Sequence, residues 1–269
     1  MSGRRGALLT RVAVGFIALI VSIAMAPTIS ALAKANYTWT GASKMPEGSF
    51  GVNYTTSGYR LAVKSNGRFV TSDSYVRIEE TTESGDSYSF YNVCAKKIGT
   101  TTLYLLDTNN KQVASKKITI YKISEKNWEL QSAVNGNYVL DIQRKSTANS
   151  ARMITYQRNN GKNQRFRFEA KERDQGVIAY AIKCVHSGKY LDVQGASYMP
   201  SQPVIQYKYN GHYNQLWLII VDEKNRVTFG NMNSELVFDV QGGKVKNSSR
   251  MIQYYYNGGN NQKWVMNQK

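Results

Sequence analysis

The sequence predicts an all-β protein of two domains, a β-sandwich followed by a unit made of three repeats. Three observations carry that prediction. Short runs rich in Tyr, Val, Ile and Thr alternate between apolar and polar positions, and Gly, Asn and Asp punctuate them, with only four prolines in the chain. No stretch beyond the first 33 residues sustains a helical hydrophobic period. From about residue 126 to the end, one pattern recurs three times with fixed internal spacing.

The first 33 residues are expected to stand outside the fold. Arg4, Arg5 and Arg11 precede Val12 to Ala26, which is apolar except for Ser22, and Pro27 and small residues follow. Ala31-Leu32-Ala33 fits the small-x-small rule for signal cleavage after Ala33, and Ala33-Lys34-Ala35 offers a second cut after Ala35. An uncleaved anchor is the competing reading, but the apolar run is shorter than the roughly 20 residues that span a bilayer. No cysteine follows that run to carry a lipid. The expectation is a secreted or cell-surface protein with no membrane segment after cleavage.

Residues 36–122 hold strand-like runs at Tyr59 to Val63, Tyr75 to Ile78, Tyr88 to Val93, Thr101 to Leu106 and Lys116 to Tyr121. Turn residues separate them at Ser65-Asn66-Gly67, Ser84-Gly85-Asp86 and Asp107 to Asn110, and this density of short strands predicts a β-sandwich. Ser72-Asp-Ser-Tyr-Val76, Val93-Cys-Ala-Lys-Lys-Ile-Gly99 with the Thr-Leu run after it, and Lys116-Lys-Ile-Thr-Ile120 resemble segments of bacterial Ig-like group 2 domains. That resemblance implies a bacterial source and a spacer or surface-adhesion module. A short charged stretch at 122–126 predicts a boundary at which the two units separate.

In residues 126–269 three segments align: Tyr138-Val-Leu-Asp141-Ile-Gln143, Tyr190-Leu-Asp192-Val-Gln194 and Val237-Phe-Asp239-Val-Gln241. Each leads to an apolar run ending in tyrosine (Tyr156, Tyr207, Tyr254) and closes on Asn-Gln-x-aromatic at Asn163, Asn214 and Asn261. Asp to Tyr is 15 residues and Asp to Asn is 22 in every copy, while the copies start 51 and 47 residues apart. Length variation therefore falls between units, as it does when each unit is a structural repeat. One unit of about four strands cannot bury its own apolar face, whereas three around a pseudo-threefold axis share a core. The closing aromatics Phe166, Trp217 and Trp264 are expected to fill it. The glutamine two residues before each is expected to satisfy backbone groups of a neighbouring turn.

The carboxylate, ring and amide repeated in each unit fit the saccharide that a family resemblance, carried by the closing motifs, implies. A saccharide offers vicinal hydroxyls on its edge and C–H groups on one face. A carboxylate accepts two hydroxyls, an aromatic ring supplies a flat platform, and an asparagine both donates and accepts. Asp141, Tyr156 and Asn163 fit these roles, as do Asp192, Tyr207 and Asn214, and Asp239, Tyr254 and Asn261. An Asp-Val pair before Gln-Gly can also simply shape a turn, and tyrosines are common on β surfaces; three intact triads weigh for binding.

With Gln-x-Trp or Gln-x-Phe closing each repeat and Leu-Asp-Val upstream, residues 126–269 resemble the ricin B-type lectin family. The resemblance implies a β-trefoil that binds galactose-type or related sugars without catalysis, through the nine residues just named. One departure concerns a position two residues before the tyrosine. The family often has glutamine there, and this chain has Ile154, Ile205 and Ile252, with Gln206 and Gln253 one residue later. A hydrogen bond to the ligand is expected to be missing.

Net charge is +17, and loss of the three arginines in 1–33 leaves +14. No helix-turn-helix, zinc-finger spacing or RNP-type segment accompanies it, so nucleic acid is not the expected partner. Anionic cell-surface polymers and acidic glycans are, unless the charge serves solubility alone. His186 and His212 lack companion ligands, so no metal is expected, and no cofactor motif is present. Glu79, Glu80 and Glu83 read as a solvated acidic cluster, and no nucleophile or acid–base set supports an enzyme. Two cysteines cannot make a disulfide framework; Cys94 and Cys184 read as small buried apolar residues, with a bridge between the domains as the alternative. Two other readings compete with a lectin: a protein-interaction or toxin-component scaffold with silent sugar sites, and a wall-associated polycation. Binding by charge alone should fade as salt rises.

Overall fold

A computed structural model of the chain describes residues 39–56, 58–80 and 88–269. The expected signal segment with both cleavage points, Glu83 and the turn at 84–86 lie outside the described residues.

Alternating apolar positions put one face of each N-terminal strand in a core. Among the described residues nine strands form there: β1 (Trp39–Thr40), β2 (Lys44–Pro46), β3 (Phe50–Thr56), β4 (Arg60–Ser65), β5 (Arg68–Val70), β6 (Val76–Glu80), β7 (Tyr88–Ala95), β8 (Gly99–Leu106) and β9 (Gln112–Tyr121). One sheet runs β1-β3-β7-β6 and the other β2-β9-β8-β4-β5, with β2 parallel to β9. Val76, Ile78, Val93 and Ala95 from the first sheet and Leu61, Val63, Leu103, Leu105, Ile118 and Ile120 from the second share one buried cluster. The five runs read from sequence all become strands; β1, β2, β3 and β5 are additional.

The repeats supply twelve strands, four each. The first gives β10 (Trp128–Ser132), β11 (Tyr138–Ile142), β12 (Ala151–Gln157) and β13 (Phe166–Asp174). The second gives β14 (Val177–Cys184), β15 (Tyr190–Val193), β16 (Val204–Tyr207) and β17 (Leu216–Val221). The third gives β18 (Val227–Asn231), β19 (Val237–Val240), β20 (Ser249–Tyr254) and β21 (Trp264–Gln268). The outer strands of each repeat close a six-stranded barrel in the order β10-β13-β14-β17-β18-β21, with β21 returning to β10. β14 meets β17 only at Leu216 and Trp217, so the barrel closes at that end and the far end of β17 keeps an edge open. The inner strands form hairpins β11–β12, β15–β16 and β19–β20, and β12 pairs with both β16 and β20 to join the hairpins.

The core inside follows the repeat. Leu140, Leu191 and Phe238 precede the three aspartates, Ile142, Val193 and Val240 follow them, and Phe166, Trp217 and Trp264 close the units; all nine are fully buried. Trp217 packs on Phe238 with ring centroids 4.2 Å apart, which locks the second repeat to the third.

The two halves are joined by more than the chain. β3 pairs in parallel with β17, setting Phe50 beside Ile220 and Gly51 beside Val221. Phe50, Phe90 and Cys94 share an apolar cluster with Val177, Ala179, Leu216, Leu218 and Ile220. Polar contacts flank it: Ile178 N–H donates to Gly48 O (3.1 Å), Tyr180 O–H to Glu47 O (2.6 Å), and the Ser43 and Lys44 amides to Asn225 Oδ1 (both 2.9 Å). Gly48 is needed at this seam, because its φ is +77° and a Cβ would sit 2.3 Å from Ile178 Cγ1. At the 122–126 stretch Ile123 is buried, and its carbonyl accepts Trp128 Nε1–H (2.9 Å). Cys94 and Cys184 are both free and buried, so no disulfide bridges the halves. Burial pushes the Cys94 thiol up to about 12, which makes it a poor nucleophile at neutral pH.

Candidate functional site

Each expected triad is assembled at the end of a hairpin. Asp141, Asp192 and Asp239 sit on β11, β15 and β19, opposite Ile154, Ile205 and Ile252 on the partner strands. The aspartates are only 3–4% exposed, so their carboxylates need partners. A 3₁₀ turn at Lys162–Gln164, Tyr213–Gln215 or Asn260–Gln262 brings the asparagine and glutamine of each repeat against them.

The glutamine is the clamp. Nε2 of Gln164, Gln215 and Gln262 donates to Oδ2 of Asp141, Asp192 and Asp239 (2.9, 2.9 and 2.7 Å). The same nitrogens donate to the carbonyls of Gln157, Lys208 and Tyr255, and each Oε1 accepts the amide of Asn159, Asn210 or Asn257. Backbone satisfaction was the expected role of this glutamine; its second bond, which fixes the carboxylate, was not read from sequence. Asn163 and Asn261 also donate to Oδ2 (both 2.8 Å), while Asn214 donates to Val193 O (3.1 Å). Internal bonds therefore gather on Oδ2, and Oδ1 of each aspartate takes none among the described residues. Oδ1 of Asn163 and of Asn214 is buried and unpaired as well. A buried acceptor left over in a cleft is one that a ligand hydroxyl can satisfy.

Burial raises the carboxyl pKa of all three aspartates, against the lowering effect of the glutamine and asparagine amides. Asp141 and Asp192 rise to about 6. At neutral pH they are ionised; near pH 5 they hold a proton.

Tyr156 and Tyr254 are 37% and 38% exposed, too open for core residues and suited to act as platforms, and Tyr207 is half-buried. Asp141, Tyr156 and Asn163 line one cleft of about 440 Å³, and Asp192, Tyr207 and Asn214 another of about 380 Å³. Both volumes suit a small ligand. Ile154 and Ile205 also line these clefts, so the expected missing hydrogen bond corresponds to an apolar wall. Gln206 and Gln253 are fully buried away from the clefts. They donate to Ser146 and Ala148 carbonyls, and to Ser197 and Met199 carbonyls, tying each repeat to the loop of the one before.

Some lining residues escaped the sequence reading. Ser248 borders the first cleft and Ser150 the second, each from a different repeat. Ser150, Ser201 and Ser248 share positive φ (63°, 67°, 67°), and their constant spacing of nine after each aspartate was the available signal. His212 lines the second cleft, and Arg144 and Lys145 the first. Among the described residues no group of three or more His, Cys, Asp or Glu is placed to hold a metal ion, and no helix is long and apolar enough to cross a membrane.

A family model described as ricin-type beta-trefoil lectin domain-like matches residues 118–207, 162–254 and 213–269, together more than half of the chain. Among solved structures, an exo-β-1,3-galactanase from Clostridium thermocellum is similar at 18% identity and TM-score 0.51, over 88% of this chain and 56% of that one. A designed threefold-symmetric protein, ThreeFoil, is 34% identical at TM-score 0.48, over 52% of this chain and 96% of its own. The earthworm R-type lectin C-half, solved with GalNAc, is 18% identical at TM-score 0.42, over 54% of this chain and 99% of its own. No curated protein matches the chain.

Proposed function

Because this chain belongs to the ricin-type β-trefoil lectin domain-like family through residues 118–269, we propose that it is a non-catalytic lectin that attaches to glycans through up to three clefts. The observation that carries the reading is the repeated clamp: in every repeat a glutamine holds Oδ2 of a buried aspartate, and Oδ1 is left without a partner among the described residues. In each cleft the aspartate (Asp141, Asp192, Asp239) accepts sugar hydroxyls, the tyrosine (Tyr156, Tyr207, Tyr254) stacks on the C–H face, and the asparagine (Asn163, Asn214, Asn261) orients the ring. Galactose-type or related sugars are the expected ligands. Glycoside hydrolysis uses a pair of carboxyl groups, and the first two clefts are each lined by a single acid, Asp141 or Asp192.

The same proposal assigns the N-terminal half the role of an Ig-like spacer. What supports it is the strand order, with β1 beside β3-β7-β6 and β2 parallel to β9 in the opposing sheet. Secretion after removal of residues 1–33, and a bacterial cell-surface setting, complete the proposal on the strength of the sequence pattern.

The test is a glycan array probed with the protein lacking residues 1–33, at 0.15 M and 0.5 M salt, beside the triple variant Asp141→Ala, Asp192→Ala, Asp239→Ala. Binding that persists at high salt, yields to free sugar and vanishes in the triple variant is expected. A triple variant that binds acidic glycans more tightly, having lost three negative charges, would show a polycation instead.

A further inference from the structure

The three aspartate sites share their glutamine clamp and differ in the turn that follows it. A 3₁₀ turn follows each aspartate: Gln143–Lys145, Gln194–Ala196 and Gln241–Gly243. Its last two residues lie in the left-handed region in every repeat, at φ 57° and 52° for Arg144 and Lys145, 70° and 50° for Gly195 and Ala196, and 70° and 71° for Gly242 and Gly243. Glycine occupies such positions without steric cost, and side chains do not. The second and third repeats use glycine or alanine there. The first places an arginine and a lysine on the same backbone.

Strain of this kind persists where the residue has a task. Arg144 and Lys145 both line the cleft that holds Asp141, Tyr156 and Asn163. Among the described residues neither forms a salt bridge, and the Lys145 charge acts on Asp141 inside the cleft, favouring its ionised form. The His186 ring bonds Lys145 O (2.7 Å), which fixes the backbone of the turn. The first cleft thus sets two cations against one carboxylate, whereas the second sets only His212 beside Asp192. A guanidinium fork and an ammonium beside a hydroxyl acceptor can divide a ligand between them: Asp141 accepts hydroxyls, and the rim takes an anionic substituent by charge-assisted bonds.

We propose that the first cleft is specialised for an acidic saccharide, one bearing a carboxylate or sulfate, with Arg144 and Lys145 as its specificity-determining residues. This rests on the reading of the clefts as sugar sites and names the ligand class of one of them.

The experiment isolates that cleft in the Asp192→Ala, Asp239→Ala background of the chain lacking residues 1–33. Affinities are measured for lactose, 3′-sialyllactose and 3′-sulfated lactose, and across an array of matched neutral and acidic glycans. Arg144→Gly with Lys145→Gly copies the third repeat, removes both charges and relieves the backbone, so folding is expected to survive. Lys97→Ser with Lys224→Ser removes the same charge from exposed positions elsewhere. The acidic partner of a pair should bind about tenfold more tightly than the neutral one, the order expected for a charge-assisted hydrogen bond. The glycine pair should lose that preference with less than a twofold change for the neutral glycan, and the serine pair should keep it. The sialylated and sulfated arms report which anion is favoured. Equal binding of neutral and acidic partners, or equal loss of preference in both double variants, overturns the specialisation while leaving the sugar site standing. If the parent with all three aspartates binds no glycan of either class, the sugar reading itself falls, and this inference with it.

Discussion

The N-terminal sheets and the barrel both rest on apolar cores, but they use buried polar side chains to different ends. In the N-terminal half Ser49 O–H donates to Pro46 O and Thr55 O–H to Tyr59 O, bonds that serve the local backbone. In the barrel half Asp141, Asn163 and Gln164, and Asp192, Asn214 and Gln215, form networks that end at a cleft with acceptors to spare. Buried acceptors are left unpaired in both halves, Oδ1 of Asn53 and Asn92 in β3 and β7 and Oδ1 of Asn163 and Asn214 in the repeats; what sets the second pair apart is that those asparagines line clefts a ligand can enter. The seam between β3 and β17 ties the first region to the second.

Trp217→Ala attacks the barrel side of that comparison and carries the largest expected effect, a loss of roughly 3–5 kcal/mol, because Trp217 is fully buried. Thermal unfolding would show it, and an unchanged Tm would remove the closing aromatics from the shared core. Phe50→Ala attacks the seam. It should cost about 3 kcal/mol and turn a single unfolding transition into two, since Phe50 packs on both halves. Two transitions already present in the parent would mean that the seam contributes little.

Acidity should separate stability from binding. The raised carboxyl pKa of Asp141 and Asp192 means that the folded chain binds protons more readily than the unfolded chain between about pH 6 and 4. These groups therefore add stability as pH falls through 6, the reverse of a salt-bridged carboxylate. Sugar affinity at the first two clefts should move the other way, dropping about tenfold from pH 7 to pH 5 as the ionised acceptor disappears. Flat affinity across that range would show that the ionised form is not needed.

The repeats made the barrel legible. An aspartate, a tyrosine and an asparagine at identical spacing in three copies place themselves at one location per repeat, and the structure brings all nine residues to the hairpin ends. The N-terminal half lacks that redundancy. β2 is three residues long and ends in Pro46, and β3 carries Gly51 and Asn53, residues that disfavour strands until neighbours on both sides hold them in place. The seam was hidden for a related reason. Leu216-Trp-Leu-Ile-Ile-Val221 announces a strand buried on both faces, but nothing in an apolar run names the surface that covers it. Arg144 and Lys145 stood in the sequence as two more basic residues among 35; the left-handed backbone beneath them and their place on the first cleft set them apart.

The central claim is that one aspartate defines one sugar site. Calorimetric titration with a glycan identified on the array counts the sites directly. Up to three ligands per chain are expected for the parent, with one lost for each aspartate among Asp141→Ala, Asp192→Ala and Asp239→Ala whose site that glycan fills, while the melting temperature holds. A stoichiometry unchanged by these substitutions, in protein that remains folded, would contradict the account.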